Sequence, residues 1–164
     1  MITFVKDSKS NLMPRKPPEY DYLKYWRVIR YYIKARYGIT TSDLDMILFL
    51  RSEGRFNRSK FNEFNEVFGW DKGRFERLLR NEWISVFRKK SGNYASQAAL
   101  YEVSYKGKRM LTAMYRKLSG EEISTNHQIN PMFLKNVGYN DKVYRNMLIE
   151  MNAFIKQQQR QKDL

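Results

Sequence analysis

The sequence predicts a mainly helical fold with one small β-hairpin, an α+β arrangement within 164 residues. Three observations predict it. Apolar residues recur at helical spacing through most of the chain. One stretch, Trp83-Ile84-Ser85-Val86-Phe87, changes to β-branched and aromatic composition. A polar turn, Arg88-Lys89-Lys90-Ser91-Gly92-Asn93, then leads to a second such run at Ala99–Val103, the pattern of two strands returning on each other. With 42% hydrophobic and 15% aromatic residues the chain can bury a core, and its length suits one domain.

Taken in order, residues 1–20 read as an arm. MITFV has strand composition, and Pro14, Pro17 and Pro18 forbid a helix over PRKPPEY. Tyr22, Trp26, Ile29 and Ile33 lie at i, i+4, i+7 and i+11 and predict a first helix stopped by Gly38. Thr41 and Ser42 open a second, with Asp45 as a capping-box partner of Ser42. Its inward face is Leu44, Ile47, Leu48 and the stem of Arg51, and Gly54 ends it. A third helix starts at Asn57, turns Phe61, Phe64 and Phe68 inward and stops at Gly69. Asp71 caps a fourth over residues 72–81, with Phe75, Leu78 and Leu79 inward. Two short helices with a tight Gly-containing joint form a helix-turn-helix pattern, or an αα-hairpin with no DNA role. The hairpin that follows is placed as a wing.

A further helix begins near Tyr105 and carries Met110, Leu111, Met114 and Leu118 on one stripe. Asn130-Pro131 interrupts an irregular stretch. From Asp141 the last helix sets Tyr144, Met147, Leu148, Met151, Phe154 and Ile155 at heptad-like spacing, then runs into the polar tail QQQRQKDL. The expected organisation is therefore an arm (1–20), a winged helix-turn-helix domain (21–118), and a connection plus C-terminal helix (119–164) used for dimerisation.

The formal charge is +14, from 31 lysines and arginines against 17 acids, which makes an anionic partner the first expectation. The excess is regional. Residues 1–36 carry nine bases against three acids, 55–90 ten against five, and 106–117 five against none. Cysteine is absent, which removes disulfides, zinc ribbons, thiol catalysis and iron–sulfur clusters. A single histidine, His127, removes multi-histidine metal sites, and no GxxxxGK[ST], GxGxxG or HExxH motif is present. No enzyme activity, cofactor or metal is expected. No apolar run reaches the roughly 20 residues of a membrane span, and MITFVKDSKS lacks a signal-peptide core. The expected location is the cytoplasm, associated with DNA.

The order of elements resembles the MarR family of winged-helix transcriptional regulators over roughly Tyr22 to Leu118. The resemblance rests on YLKYWRVIRYYIKARYGITTSDLDMILFL as the opening helix pair and DKGRFERLLRNEWISVFRK as recognition helix and wing strand. YEVSYKGKRML matches the strand–Leu-Thr-x-x-Gly–helix junction, with Ser104 capping as threonine does there. The wing, RKKSGNYASQAA, lacks the Asp-x-Arg pair usual in the family. The resemblance implies duplex-DNA binding, a homodimer joined through N- and C-terminal helices, and a small aromatic effector near those helices.

With Phe75 facing the core, a helical wheel turns Gly73, Arg77 and Arg80 outward, with Arg74 on one shoulder. An arginine-rich face suits bidentate contacts with guanine in the major groove, and Gly73 would admit a phosphate close to the backbone. Lys72 precedes this face. On the wing (88–94), Arg88, Lys89 and Lys90 are positioned to grip phosphates. Arg58, Ser59 and Lys60 sit at the third helix's N-terminus, as phosphate donors or as an ordinary helix start. The dimer would be formed by Tyr22, Trp26, Tyr144, Met147, Leu148, Met151, Phe154 and Ile155. Two alternatives remain open. One is a structural or assembly protein, such as a virion or nucleoprotein component, using the module for docking or non-specific nucleic-acid binding. The other is a single-strand or RNA binder using the first helix's tyrosines.

Overall fold

The computed structural model describes residues 23–164. The arm over 1–20, its MITFV segment and Tyr22 lie outside the described residues. The elements run α1 (Trp26–Tyr37), α2 (Thr41–Glu53), α3 (Arg58–Val67), α4 (Arg74–Arg80), β1 (Ile84–Arg88), β2 (Leu100–Val103), α5 (Tyr105–Leu118) and α6 (Tyr139–Lys162). Short 3-10 turns occupy Ala95–Gln97 and Pro131–Phe133. The chain is thus mainly helical with one small antiparallel hairpin, a layout compatible with a winged helix.

Local chemistry sets most boundaries. Gly38 ends α1 in the left-handed region at φ 65°. Asn57 caps α3 by accepting the Lys60 N–H, and Ser104 caps α5 by accepting that of Gly107. For α2 the cap is Thr40, whose hydroxyl accepts the Asp43 N–H, so the box expected between Ser42 and Asp45 does not form. The fourth helix is shorter than the expected 72–81: Gly73 is its N-cap, and the Asp71 carboxylate accepts the Gly73 N–H at 3.0 Å. At its other end Glu82 stands at φ 60°. The Trp83 N–H returns to Leu78 O and the Glu82 N–H to Leu79 O, a Schellman closure in which glutamate occupies the usual glycine position.

Strands β1 and β2 pair with Ile84 opposite Val103 and Val86 opposite Tyr101, with an irregularity before Arg88. Phe56, between α2 and α3, adds a one-residue third strand. Its N–H and C=O bond the Tyr101 O and N–H at 3.0 and 2.7 Å. The start of α5 is fastened to the α4–β1 turn: Ser104 N–H donates to Trp83 O, and the Ser104 hydroxyl to Glu82 O. Gly107 permits this approach. A β-carbon there would lie 2.7 Å from Val103 Cγ1 and 2.8 Å from the Trp83 carbonyl oxygen.

One core cluster unites the helices, with Ile29, Ile33, Ile47, Phe61, Leu78 and Met110 all 0–1% exposed. Leu148, Met151 and Ile155 belong to it. This corrects their expected place in a dimer interface, because the apolar stripe of α6 is spent on α1 of the same chain. Tyr144 stacks on Tyr31 with ring centroids 4.0 Å apart, and Phe154 packs against Tyr25 at 5.9 Å. Trp26 is half-buried on the same helix, and of the described residues named for the dimer Met147 alone is classed as exposed, at 42%. No helix among the described residues is long and apolar enough to cross a membrane.

Two outcomes follow from these contacts. Gly107→Ala gains about 1 kcal/mol of helix propensity but forces a methyl against an immovable carbonyl. It should lower stability by up to about 2 kcal/mol net in urea unfolding. Tyr31 donates to Asp141 Oδ1 at 2.6 Å, and that bond, with burial, raises its pKa from 10.0 to about 12. A raised pKa adds stability that is complete below pH 10 and is lost as pH rises through about 12. Tyr31→Phe should therefore be about 1 kcal/mol less stable than the parent near neutrality, with the gap closing between pH 10 and 12.

Candidate nucleic-acid interface

The segment expected to read DNA is organised by a buried polar network. Asp43, 3% exposed on α2, accepts both Nε and Nη2 of Arg77 at 2.7 Å, a bidentate pair. The same Nη2 reaches Asp71 Oδ2 at 2.8 Å. These carboxylates hold the Arg77 guanidinium even more firmly protonated than usual, and the hydrogen bond from Arg77 draws the Asp71 carboxyl below its ordinary range. Arg74, 3% exposed, donates to Asn65 Oδ1 and Gly69 O, and its Nε lies 3.4 Å from Asp43 without a hydrogen bond. Asn65 in turn donates to Asp71 O. Helix α2, helix α3, the turn and α4 are thereby locked into one geometry.

This changes the reading of α4. Arg74 is inside the protein and Arg77 is a strut, so neither presents a free fork to a base edge. Two neighbours, α2 and the turn, close over a flank that a wheel centred on Phe75 leaves open. The Asp71 carboxylate also occupies the Gly73 N–H expected to meet a phosphate. The outward positions are Lys72, Gly73, Glu76 and Arg80. Over 57–82 there are six bases and five acids, so the α3–α4 segment itself is nearly neutral.

Other expected residues do converge. Arg58 and Ser59 at the start of α3 line one cleft with Lys90, Asn93 and Tyr94 of the hairpin, of about 440 Å³. The Arg58 guanidinium lies 3.9 Å from the Phe75 ring centre and bonds Glu76 at 2.9 Å, clamping α3 to α4. Lys60 pairs with Glu63 on the surface. Arg88 turns back rather than out: its Nη2 donates to Ser96 O and Ala98 O, bracing the hairpin loop. Lys89, Lys90 and Tyr94 are exposed, Tyr94 at 77%. Among the described residues, Lys72, Arg80, Lys89 and Lys90 enter no ion pair.

Sequence reasoning did not single out the bracing role of Arg88, which needs carbonyls eight and ten residues away. It noted the bases of 106–117 but assigned them no place. They lie along α5, where Lys106 Nζ donates to Asn81 O at 2.9 Å beside the end of α4 and rests 4.1 Å from the Trp83 ring centre. Among the described residues no group of three or more acids and histidines could hold a metal. No family model, curated protein or solved structure matches this chain.

Removing the tie between α2 and α4 should act on folding. Arg77→Ala strands the buried Asp43 and should cost about 2–4 kcal/mol, and Asp43→Ala about 3–5 kcal/mol, in chemical denaturation. If Arg77→Ala unfolds at the parent midpoint yet loses discrimination between duplex sequences, Arg77 reads bases and is not a strut.

Proposed function

We propose that the chain is a winged-helix, MarR-like regulator that binds double-stranded DNA, laying α4 toward the major groove and the hairpin along the backbone. What supports the reading is the cleft in which Arg58 and Ser59 from the start of α3 face Lys90 from the hairpin tip, immediately beside α4. A helix start, the Ser59 hydroxyl and the exposed Lys90 ammonium in one concavity suit a phosphate, with Arg58 beside them although it is paired with Glu76. The Phe56–Tyr101 bridge supports it too, since it ties the hairpin to the α2–α3 link and sets the tip beside that helix start. With Arg77 committed to Asp43, Arg80 is the remaining arginine of α4 able to contact a base. Lys72, Lys89 and Lys90 take the backbone.

A homodimer, implied by the family resemblance, has the outward stripe Tyr139, Val143 and Met147 of α6 as its available surface, 80, 45 and 42% exposed. Met147→Lys should then convert dimers to monomers in light scattering, without loss of helix content.

Binding to a duplex selected from a random pool, and to an unselected one, tests the function. Lys89→Ala and Lys90→Ala should weaken both equally and flatten the log K against log salt slope by about 0.9 each. Arg80→Ala should cost about 1–3 kcal/mol on the selected site and far less on the other. A parent protein that selects no site and binds neither duplex at low salt overturns the reading.

A further inference from the structure

A concentration of positive charge lies away from the hairpin cleft, in a groove between α1 and α5 of about 610 Å³. Five of its nine lining residues are cations, Arg36, Lys106, Lys108, Arg109 and Arg116, and none is acidic. Several cations elsewhere have acidic partners, Arg55 with Glu102, Arg58 with Glu76, Arg77 with Asp43 and Asp71, Lys117 with Glu121, Lys156 with Glu122. None of the groove's five cations enters an ion pair among the described residues. Holding five like charges around one concavity opposes folding through mutual repulsion, which an anionic occupant would relieve.

The shape narrows the occupant. Lys106, Arg109 and Arg116 share one side of α5 and extend over about 15 Å at 1.5 Å per residue. That length spans more than one phosphate of a strand, so an elongated polyanion fits better than a single ion. Two of the groove's flanks are aromatic. Tyr105 is 77% exposed, with the Arg109 guanidinium 5.7 Å from its ring centre. Tyr37 is fixed edge-on against Trp83. Exposed aromatic faces interleaved with cations suit nucleic acid, where bases stack as phosphates pair, better than an acidic protein surface.

We propose that the α1–α5 groove holds a phosphodiester strand of nucleic acid, with Arg109 and Arg116 on its phosphates and Tyr105 against a base. The strand is a single strand, whose bases can stack on Tyr105, or the outer backbone of a duplex, which the cations alone would hold, and the groove's case is independent of the hairpin cleft. Lys106, bonded to the carbonyl that ends α4, marks where the two surfaces meet.

Fluorescence anisotropy with a 20-nucleotide oligothymidylate and a 25-base-pair duplex, each titrated over a salt series, tests it. Arg109 and Arg116 are exposed, and the double variant Arg109→Ala/Arg116→Ala should melt with the parent. It should lower affinity about tenfold and reduce the salt slope by about 1.4 on the single strand, or about 1.8 on the duplex. Tyr105→Ala should lower single-strand affinity about fivefold or more. A loss confined to one probe identifies which strand the groove takes. Parental affinity and slope on both probes, or no binding of either by the parent, overturns the proposal. Lys89→Ala/Lys90→Ala in the same series separates the two surfaces. Affinity for both probes that falls with the hairpin pair alone overturns the groove, and duplex affinity that falls with the groove pair alone overturns the hairpin reading.

Discussion

The buried carboxylate of Asp43 is the constraint on which the middle of the molecule depends. It faces Arg77 in a bidentate pair and Arg74 at 3.4 Å, and through them it joins α2 to α4. Burying such charges carries a large desolvation cost, offset only when the remaining donors and acceptors are filled. Here Asn65, Gly69 and Asp71 fill all but the Arg74 Nε. The arrangement fixes an angle between helices that apolar packing alone would leave looser. A seven-residue α4 has little hydrophobic surface of its own, so its orientation rests on these polar ties.

What was legible in the sequence was local chemistry. Asn57 and Ser104 announce helix starts because their side chains accept N–H groups three residues on. Gly38 and Gly69 mark ends because they reach positive φ. Trp83–Phe87 shows a strand by composition. What stayed hidden depends on partners distant in sequence. Arg77 lies 34 residues from Asp43, and a wheel drawn for one helix cannot reveal which flank a neighbour covers. Likewise the heptad-like stripe of α6 carries no label saying whether α1 of the same chain or a second copy buries it. Of the candidate site, Arg58, Ser59 and Lys90 were singled out by position, but neither the cleft they share nor the struts Arg74, Arg77 and Arg88 could be read from the sequence.

Net charge proved a poor map of surface charge. The ten bases of 55–90 include five paired with acids, Arg55, Arg58, Lys60, Arg74 and Arg77, and one turned into the hairpin loop, whereas Lys106, Lys108, Arg109 and Arg116 of the shorter run after Tyr105 form no ion pair among the described residues. Where a cation finds a carboxylate it becomes architecture; where it finds none its field reaches solvent. The distinction lies in which acids the fold brings within about 4 Å.

The packing of α1 also carries a consequence for the order of assembly. Its buried face meets α2, α5, the Pro131–Phe133 turn and α6, and Tyr31 bonds a residue 110 positions later. Helix α2 also meets α1 and α5, but its ties to α3, α4 and the hairpin lie within residues 40–104. During vectorial synthesis the middle of the chain can therefore settle while α1, made earlier, still lacks the surfaces that cover Val28, Ile29 and Ile33. Helix α1, made before the elements that cover it, is among the last of the described helices to be enclosed, and its apolar face is the one in need of shelter while the ribosome is still at work.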